Sequence, residues 1–235
     1  MRVIFAGPTL HGANLSATTD YDLRPPARQG DFVRAIREGA TVIGLIDGIY
    51  EYVPAIWHKE ILFGLANGVH IFGAASMGAL RAAECAAFGM VGIGKIYEDY
   101  ASGELEDDAD VAQAHAPAEL GFLPLNEPFV NVRATIERCR QSQMTNAECD
   151  LLLAAAKTIF FKERTYKRIV KEAIPDGKRS AELLAILRAH AINQKLEDAR
   201  LLIDKVVATP AERFEPKFDW VFETTSFWLQ TFPPD

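Results

Sequence analysis

The sequence predicts an α/β protein, with a parallel-stranded, Rossmann-like, three-layer N-terminal part and an α-helical C-terminal part. Apolar, β-branched runs alternate with helix-like segments over the first third of the 235-residue chain. From about Pro124 the periodicity is helical, and the tail from Phe214 is rich in aromatic residues. Strands separated by helices are typical of βαβ units, which form parallel sheets with right-handed crossovers. We therefore expect an α/β domain over residues 1–120 and a helical region over residues 121–235.

The elements of the N-terminal part follow from local composition. Short apolar runs with β-branched residues predict strands over residues 3–6, 41–46 and 69–73. Apolar residues on one face, followed by a glycine signal, predict helices over residues 31–38 and 57–66. A third helix, rich in alanine, is predicted to begin directly after Ser76.

Helix-start signals mark the C-terminal part. The tripeptide at residues 126–128 (Asn-Glu-Pro) predicts one start, and a capping box between Thr145 and Glu148 predicts another. Further helical runs cover residues 166–173, 180–190 and 194–207. The aromatic tail carries too few charges for a free segment, so we expect it to pack on these helices or on a partner.

Composition excludes several classes of protein. The net charge is −7, and no block of lysine and arginine indicates a nucleic-acid partner. The acidic balance argues against binding to an anionic membrane surface, and no apolar run is long enough to span a bilayer. Cys85, Cys139 and Cys149 form an odd set without metal-ligand spacing, as expected in a reducing compartment. We expect a cytoplasmic protein, for which homo-oligomerisation stays open.

Polar side chains follow each of the three predicted strands. Gly7 and Thr9 follow the first strand, Asp47 follows the second and Ser76 the third. Parallel strands place their carboxyl ends at one edge of the sheet, where open α/β sheets bind ligands. We therefore expect Thr9, Asp47 and Ser76 to line one pocket.

The segment around Ser76 has the layout of a nucleophile elbow, a strand–turn–helix that lifts a serine hydroxyl above a parallel sheet. Residues 74–78 read Ala-Ala-Ser-Met-Gly, so alanine replaces the first glycine of the G-x-S-x-G pattern. Two roles fit this position. Ser76 is a nucleophile, with the Met77 N–H available to a developing oxyanion, or its hydroxyl caps the following helix.

A serine nucleophile needs a base, and histidine has the right pKa for that role. His58 is the first candidate, His115 the second, and His11 a weaker third. His58 lies at the head of the helix that follows the Asp47 loop, but it shares a face with apolar residues and could simply be packed there.

Two arginines are candidates for binding a carboxylate-like group. The Arg81 side chain leans back toward Ser76 along its helix, although an ion pair with Glu84 is an equal alternative. Arg24 belongs to a rigid segment over residues 24–31, which either recognises an acidic tail or is a surface loop whose prolines set its path.

An acidic group at Asp107, Asp108 and Asp110 precedes His115 and could hold a divalent cation. No glycine-centred calcium-loop pattern is present, and such groups more often cap helices or face solvent. We therefore expect no metal and no cofactor.

Taken together, the N-terminal segments resemble the TfuA-like family over most of the first 140 residues. The matching strings are residues 5–9 (FAGPT), 24–26 (RPP), 29–31 (QGD), 46–48 (IDG), 53–62 (VPAIWHKEIL), 73–84 (GAASMGALRAAE), 88–92 (FGMVG), 105–108 (LEDD), 111–112 (VA), 115 (H) and 127–131 (EPFVN). Thr9 stands where the family often has serine. Cys85 stands where leucine is common, which argues against a sulfur-carrying role for this thiol.

The resemblance implies a partner of YcaO-type cyclodehydratases, which use ATP to activate a backbone amide for replacement of its oxygen by sulfur. It also implies a sulfur source, a ubiquitin-like carrier that ends in a thiocarboxylate. We expect Ser76 to attack this thiocarboxylate with His58 or His115 as base, and Arg81 or Arg24 to hold its charge. Two alternatives are a non-enzymatic adaptor that presents the carrier or the peptide to YcaO and, ranked last, a phosphate-binding module.

Overall fold

A five-stranded parallel sheet forms the centre of the computed structural model, which describes residues 1–15, 20–140, 142–175 and 177–234. The strands are β1 (Arg2–Phe5), β2 (Asp22–Arg24), β3 (Val42–Leu45), β4 (His70–Ala74) and β5 (Val91–Ile93). Their order in the sheet is β2-β1-β3-β4-β5, and all four pairings are parallel. The three predicted strands are therefore the three central ones, and the two edge strands are additional.

Helices surround this sheet and continue into the C-terminal part. Those of the N-terminal part are α1 (Asp31–Arg37), α2 (His58–Ala66), α3 (Met77–Cys85) and α4 (Lys95–Ser102). Those that follow are α5 (Phe129–Arg140), α6 (Asn146–Thr158), α7 (Tyr166–Ala173), α8 (Gly177–Ala189), α9 (Gln194–Ala208) and α10 (Ser226–Thr231). The predicted α/β class with a helical C-terminal part is confirmed.

The two faces of the sheet are covered by helices from different parts of the chain. Helices α1, α2 and α3 pack on one face, against strand residues such as Ile43 and Leu45. Helix α9 packs on the other face, where Leu202 and Val206 approach the backbone of Gly44. A Cβ at Gly44 would lie 2.7 Å from the Leu202 side chain, so the glycine permits this close approach. The third layer is therefore supplied by a helix close to the end of the chain.

Helices α5 to α8 form a second core together with α4. Its members are buried apolar residues such as Ile96, Ile136, Leu152 and Leu183. The predicted capping box at α6 is present, because the Thr145 hydroxyl accepts from the Glu148 N–H and the Glu148 carboxylate accepts from the Thr145 N–H. The division of the chain at residue 120 stays a prediction.

The aromatic tail packs on α2 rather than on the helices of the C-terminal part. Trp57 stacks on Phe227 with ring centroids 5.4 Å apart, and Phe63 lies 5.3 Å from Trp228. The expectation of packing on the C-terminal helices is corrected accordingly. The reason is that Trp57, at the N-cap of α2, and Phe63, on α2, offer aromatic rings against which the rings of the tail pack.

A fully buried carboxyl group, Glu60, ties the start of α2 to the start of α1. Its two oxygens accept hydrogen bonds from the Gly30 N–H at 2.9 Å and the Trp57 N–H at 3.2 Å. Burial raises the pKa of Glu60 to about 7, although these backbone hydrogen bonds oppose the shift. The folded protein therefore holds this proton more tightly than the unfolded chain does.

We expect Glu60 to lower the free energy of unfolding as the pH rises. The unfolded carboxyl loses its proton near pH 4.5 and the folded one near pH 7, so stability falls across this window. The loss is about 3 kcal/mol. Denaturant unfolding at pH 4.5 and pH 7.5 should show this slope in the native protein and not in Glu60→Gln. The exposed Glu163→Gln is the matched control and should keep the slope; equal slopes for all three proteins would contradict the prediction.

None of the helices in the described part of the chain is long and apolar enough to cross a membrane.

Candidate active site

The carboxyl ends of β1, β3 and β4 bring Thr9, Asp47 and Ser76 to the same edge of the sheet. Asp47 Oδ2 accepts hydrogen bonds from the Gly7 N–H at 2.9 Å and the Thr9 N–H at 3.0 Å. The Thr9 hydroxyl donates to Asp47 Oδ1 at 2.6 Å. All three polar side chains are almost completely buried. The carboxylate of Asp47 therefore fixes the loop after β1 against the end of β3.

A cavity of about 180 Å³ opens at this edge. Its wall includes the side chains of Asp47, Tyr50, Ser76, His115 and Lys195. A hydroxyl, a carboxylate, an imidazole and an amine thus surround one small space, with apolar residues between them. This grouping is the candidate active site.

The turn that presents Ser76 is tight and strained. Ala75 adopts a positive φ of 67°, which is unfavourable for a residue with a Cβ. The Ser76 N–H donates back to the Ala74 carbonyl at 2.7 Å, and α3 begins at the next residue. Strained backbone of this kind persists where the surrounding structure enforces it, and it is frequent at functional sites.

Ser76 occupies the N-cap position of α3, but its hydroxyl makes no capping hydrogen bond. The alternative role considered from the sequence, a serine whose hydroxyl caps the helix, is therefore not what the structure shows. In the described part of the chain the Ser76 hydroxyl also has no other hydrogen-bond partner. A buried hydroxyl on a cavity wall is thus left available to a ligand.

Backbone donors surround the same position. The Gly78 N–H is used, because it donates to the Ile46 carbonyl at 3.1 Å and holds α3 against the end of β3. The N–H groups of Met77 and Gly48 have no acceptor among the described residues. The Gly7 and Thr9 N–H groups, by contrast, are both taken by Asp47. Gly48, on the cavity wall, and Met77, on the adjoining groove, are therefore two backbone groups that remain free to bind an oxyanion.

His115 is the histidine that the fold brings to this cavity. Its Nδ1 lies 2.8 Å from the carbonyl oxygen of Ala116. A carbonyl only accepts, so Nδ1 carries the hydrogen and, in the neutral ring, Nε2 holds the lone pair. The ring packs edge-on against Phe122 at 5.5 Å. His115 therefore has its orientation and tautomer set, with Nε2 available as a base.

The fold separates His58 from the Ser76 cavity. His58 Nε2 lies 2.8 Å from Glu84 Oε2, and Arg81 hydrogen-bonds the same carboxylate oxygen. Burial alone would raise the pKa of Glu84, but these two partners outweigh it and hold the pKa below its usual value. His58, Arg81 and Glu84 therefore form a surface cluster on α2 and α3. The ion pair of Arg81 and Glu84 that the sequence left as an alternative is present.

Arg81 and Glu84 line a second, more open groove that shares Tyr50 and Glu51 with the Ser76 cavity. The Arg81 Nε is buried without a hydrogen-bond partner in the described structure. Binding of a substrate charge by Arg81 therefore stays a prediction, but at the groove rather than beside the Ser76 hydroxyl.

Arg24 lies on β2 and binds other acidic residues. Its guanidinium pairs with Asp22 at 2.8 Å and with Glu38 at 2.7 Å. It lines a separate depression beside β1 and α1, not the Ser76 cavity. His11 hydrogen-bonds the Gly121 carbonyl at 2.8 Å and is likewise absent from the cavity wall. Neither side chain is placed to assist Ser76.

The acidic group before His115 serves structural roles. Asp107 accepts from the Ala109 N–H at 2.9 Å, which caps a short 3₁₀ turn. Asp110 is buried and bonds Lys157 at 2.6 Å. The described residues contain no group of three or more His, Cys, Asp or Glu side chains arranged to hold a metal ion.

All three cysteines are free thiols and buried. Burial raises the pKa of Cys85 to about 11, and the neighbouring Glu84 adds to this shift. A thiol with so high a pKa is almost entirely protonated at neutral pH and is a poor nucleophile. Cys85 is therefore a small packing residue of α3.

Lys195 and Tyr50 are site residues that sequence reasoning missed. Lys195 lies in the first turn of α9, in no recognisable motif, and is almost completely buried. The Tyr50 hydroxyl is buried and has no hydrogen-bond partner among the described residues. Tyr50 follows the Asp47-Gly48 turn, so its position on the strand-end loop was the one signal that could have found it.

Fold and site together define a parallel α/β protein with a buried serine, carboxylate and lysine and a half-buried histidine around a cavity at the carboxyl ends of its strands. The chain belongs to the TfuA-like protein family, whose model matches residues 47–165, just over half of the chain. Membership of this family associates it with YcaO-dependent thioamidation, as a partner of the YcaO protein. No curated protein matches the chain. Asp47, Ser76 and His115 fall within the matched range, whereas Thr9 and Lys195 fall outside it.

Proposed function

We propose that this protein supplies sulfur to its YcaO partner by hydrolysing the thiocarboxylate of a ubiquitin-like sulfur carrier, with Ser76 as nucleophile. The observation that carries this proposal is the Ser76 hydroxyl, which makes no capping bond and lies on the wall of the same cavity as His115. A serine held only as a helix cap would use its hydroxyl in a bond to the first turn.

The reaction balances without a cofactor. Ser76 Oγ attacks the thiocarboxylate carbon while His115 Nε2 takes the hydroxyl proton. The C–S bond then breaks, and the proton passes from His115 to sulfur, so that hydrosulfide leaves and a Ser76 ester remains. Water attacks this ester with His115 again as base, which releases a carboxylate and restores the serine. The net change is thiocarboxylate plus water to carboxylate plus hydrogen sulfide.

The tetrahedral intermediate of each step carries an oxyanion. The free N–H of Met77 lies at the N-terminus of α3, where the helix dipole favours negative charge. The Gly48 N–H, in the loop after β3, is a second unused donor and lies on the cavity wall, whereas Met77 lines the adjoining groove. Because these groups are backbone atoms of rigid elements, they need no reorganisation when the charge develops.

The test is incubation of a thiocarboxylated carrier with this protein alone, followed by mass spectrometry of the carrier and a sulfide assay. Conversion of the thiocarboxylate to a carboxylate with release of sulfide supports the hydrolase. Unchanged thiocarboxylate, in a carrier that still binds, contradicts it and supports the adaptor that presents the carrier to YcaO.

Replacing His115 by alanine should slow sulfide release about 100- to 10,000-fold, the usual contribution of a general base. His58→Ala is the matched control, because it removes the same side chain from outside the cavity and should leave release nearly unchanged. The rate of sulfide release should be measured from pH 5 to pH 9. The rise of this rate with pH, which occurs as the base loses its proton, should disappear only in His115→Ala. A large loss in His58→Ala with none in His115→Ala would assign the base to His58 instead.

A further inference from the structure

A groove adjoins the Ser76 cavity, and the two depressions share Tyr50 and Glu51 on their walls. The cavity measures about 180 Å³ and the groove about 710 Å³. Pockets that hold a complete small ligand have volumes of about 300 to 1,000 Å³. The cavity can therefore take only the end of a chain, whereas the groove has room for the segment that leads to this end.

Two polar atoms at this groove are buried and have no hydrogen-bond partner within the described part of the chain. They are the Tyr50 hydroxyl oxygen and the Arg81 Nε, and they are not bonded to each other. A buried polar group without a partner costs free energy, and native proteins contain few such groups. Two of them on the wall of one groove therefore indicate a place for an acceptor that belongs to a ligand.

Both groups act as donors in the same part of the groove. Burial raises the pKa of Tyr50 well above its ordinary value, and the nearby Arg81 guanidinium opposes this shift only in part. The phenol therefore keeps its proton throughout the neutral range. The Nε–H of an arginine can only donate. Because Arg81 is close enough to influence the Tyr50 hydroxyl, one ligand atom can accept from both.

The charges on the groove favour an uncharged acceptor. The Arg81 Nη1 already hydrogen-bonds Glu84 Oε2, so the positive charge of the guanidinium is balanced. Three further carboxyl groups line the groove, those of Glu106, Asp107 and Asp108. They would repel a carboxylate brought by a ligand. A peptide carbonyl is neutral and its oxygen accepts two hydrogen bonds, so it can meet both donors without this cost.

We propose that the Tyr50 O–H and the Arg81 Nε–H together bind one backbone carbonyl of the carrier, in the segment that precedes its reactive end. This inference rests on the proposed function, because it takes the carrier as the ligand. The segment lies in the groove, and the end that it carries passes Tyr50 and Glu51 to reach the Ser76 cavity. Tyr50 and Arg81 thus hold the chain in place and take no part in breaking the C–S bond.

The first test measures carrier binding to the full-length protein by calorimetry, with the carrier in its carboxylate form so that no turnover occurs. Tyr50→Phe removes only the phenolic oxygen and should weaken binding about three- to tenfold, the usual net effect of one hydrogen bond. Its melting temperature should equal or exceed that of the native protein, because an unpartnered buried hydroxyl is removed. Tyr166→Phe is the matched control, because the Tyr166 hydroxyl bonds Thr135 in the second core. This control should bind the carrier normally and melt at a lower temperature.

A double-mutant cycle tests whether the two donors share one acceptor. Arg81→Lys keeps a positive charge on α3 beside Glu84 but removes the Nε–H, and it should also weaken binding. If both donors bind the same carbonyl, the double variant should lose less affinity than the product of the two single losses. The kcat for sulfide release at saturating carrier should stay native in Tyr50→Phe, because the hydroxyl acts in binding only.

Three results would overturn this inference while the Ser76 chemistry stands. The first is native affinity in Tyr50→Phe, and the second is a double variant in which the two single losses multiply as independent effects. The third is a lower kcat in Tyr50→Phe with unchanged affinity, which would assign the hydroxyl to the chemical step.

A competition experiment checks which segment occupies the groove. A short synthetic peptide with the C-terminal sequence of the carrier should compete with the carrier for the native protein, and more weakly for Tyr50→Phe. Failure of this peptide to compete, or competition by the peptide substrate of the YcaO partner in its place, overturns the inference. A native protein that binds the carrier through Tyr50 and Arg81 but releases no sulfide overturns the hydrolase and supports the inference. Absence of carrier binding overturns both.

Discussion

Replacing Ser76 by alanine is expected to reduce sulfide release from a thiocarboxylated carrier by at least about a thousandfold, because removal of a nucleophile leaves only the residual effect of binding and of the oxyanion donors. The fold should be nearly unchanged. A lost N-cap bond costs about 1 kcal/mol, and the Ser76 hydroxyl makes no such bond. The rate of release and the melting temperature should be measured on the same preparations.

A matched control is Ser102→Ala at the end of α4. The Ser102 hydroxyl bonds the Asp99 carbonyl and does not line the cavity, so this variant should release sulfide at the native rate. Binding of the carrier should be similar in all three proteins. Release at the native rate by Ser76→Ala would rule out the serine mechanism, whatever its melting temperature.

Replacing Gly78 by alanine is expected to destabilise the protein by more than about 4 kcal/mol or to prevent folding. A Cβ at this position would lie 1.8 Å from the Leu45 carbonyl oxygen, which is backbone and cannot move aside cheaply. The clash could be relieved only if α3 moved away from β3, and this movement would break the hydrogen bond from the Gly78 N–H to the Ile46 carbonyl oxygen. In a solvent-exposed helix the change from glycine to alanine would stabilise the protein by up to about 1 kcal/mol. The close approach of α3 to β3 therefore turns a stabilising substitution into a destabilising one.

Gly177→Ala provides that comparison. Gly177 begins α8 and a Cβ there would meet no atom within 4 Å. Denaturant unfolding should show a stability equal to or slightly above that of the native protein for this variant. Native-like stability of Gly78→Ala would mean that α3 does not approach the end of β3 as closely as described.

The two edge strands show why some of the sheet was not predicted. β2 and β5 contain three residues each, and the residues of β2 are mostly exposed. Runs this short carry no periodicity, and pairing with a neighbouring strand is what makes them extended. The central strands are buried on both faces, so their sequences are nearly continuous apolar runs that can be recognised from composition alone.

The histidines illustrate a different limit. Both His58 and His115 follow loops at the correct edge. The sequence favoured His58 as the base, whereas the fold brings His115 to the cavity wall. The direction of the His58 side chain depends on how α2 rotates about its axis when it packs. The location of His115 depends on an irregular segment held by the isolated bridge between His115 and Pro124.

The sequence by itself determined the parallel sheet whose strand ends form the candidate site. Alternation of strands and helices makes the strands parallel, and parallel strands place Thr9, Asp47 and Ser76 at one edge. Only the tertiary structure decided that α9 covers the second face and delivers Lys195 to that edge, and that Arg24 and His58 do not reach it. The physical reason is that strand direction follows from local pattern, whereas contacts between distant elements depend on packing of complete surfaces, which no local pattern encodes.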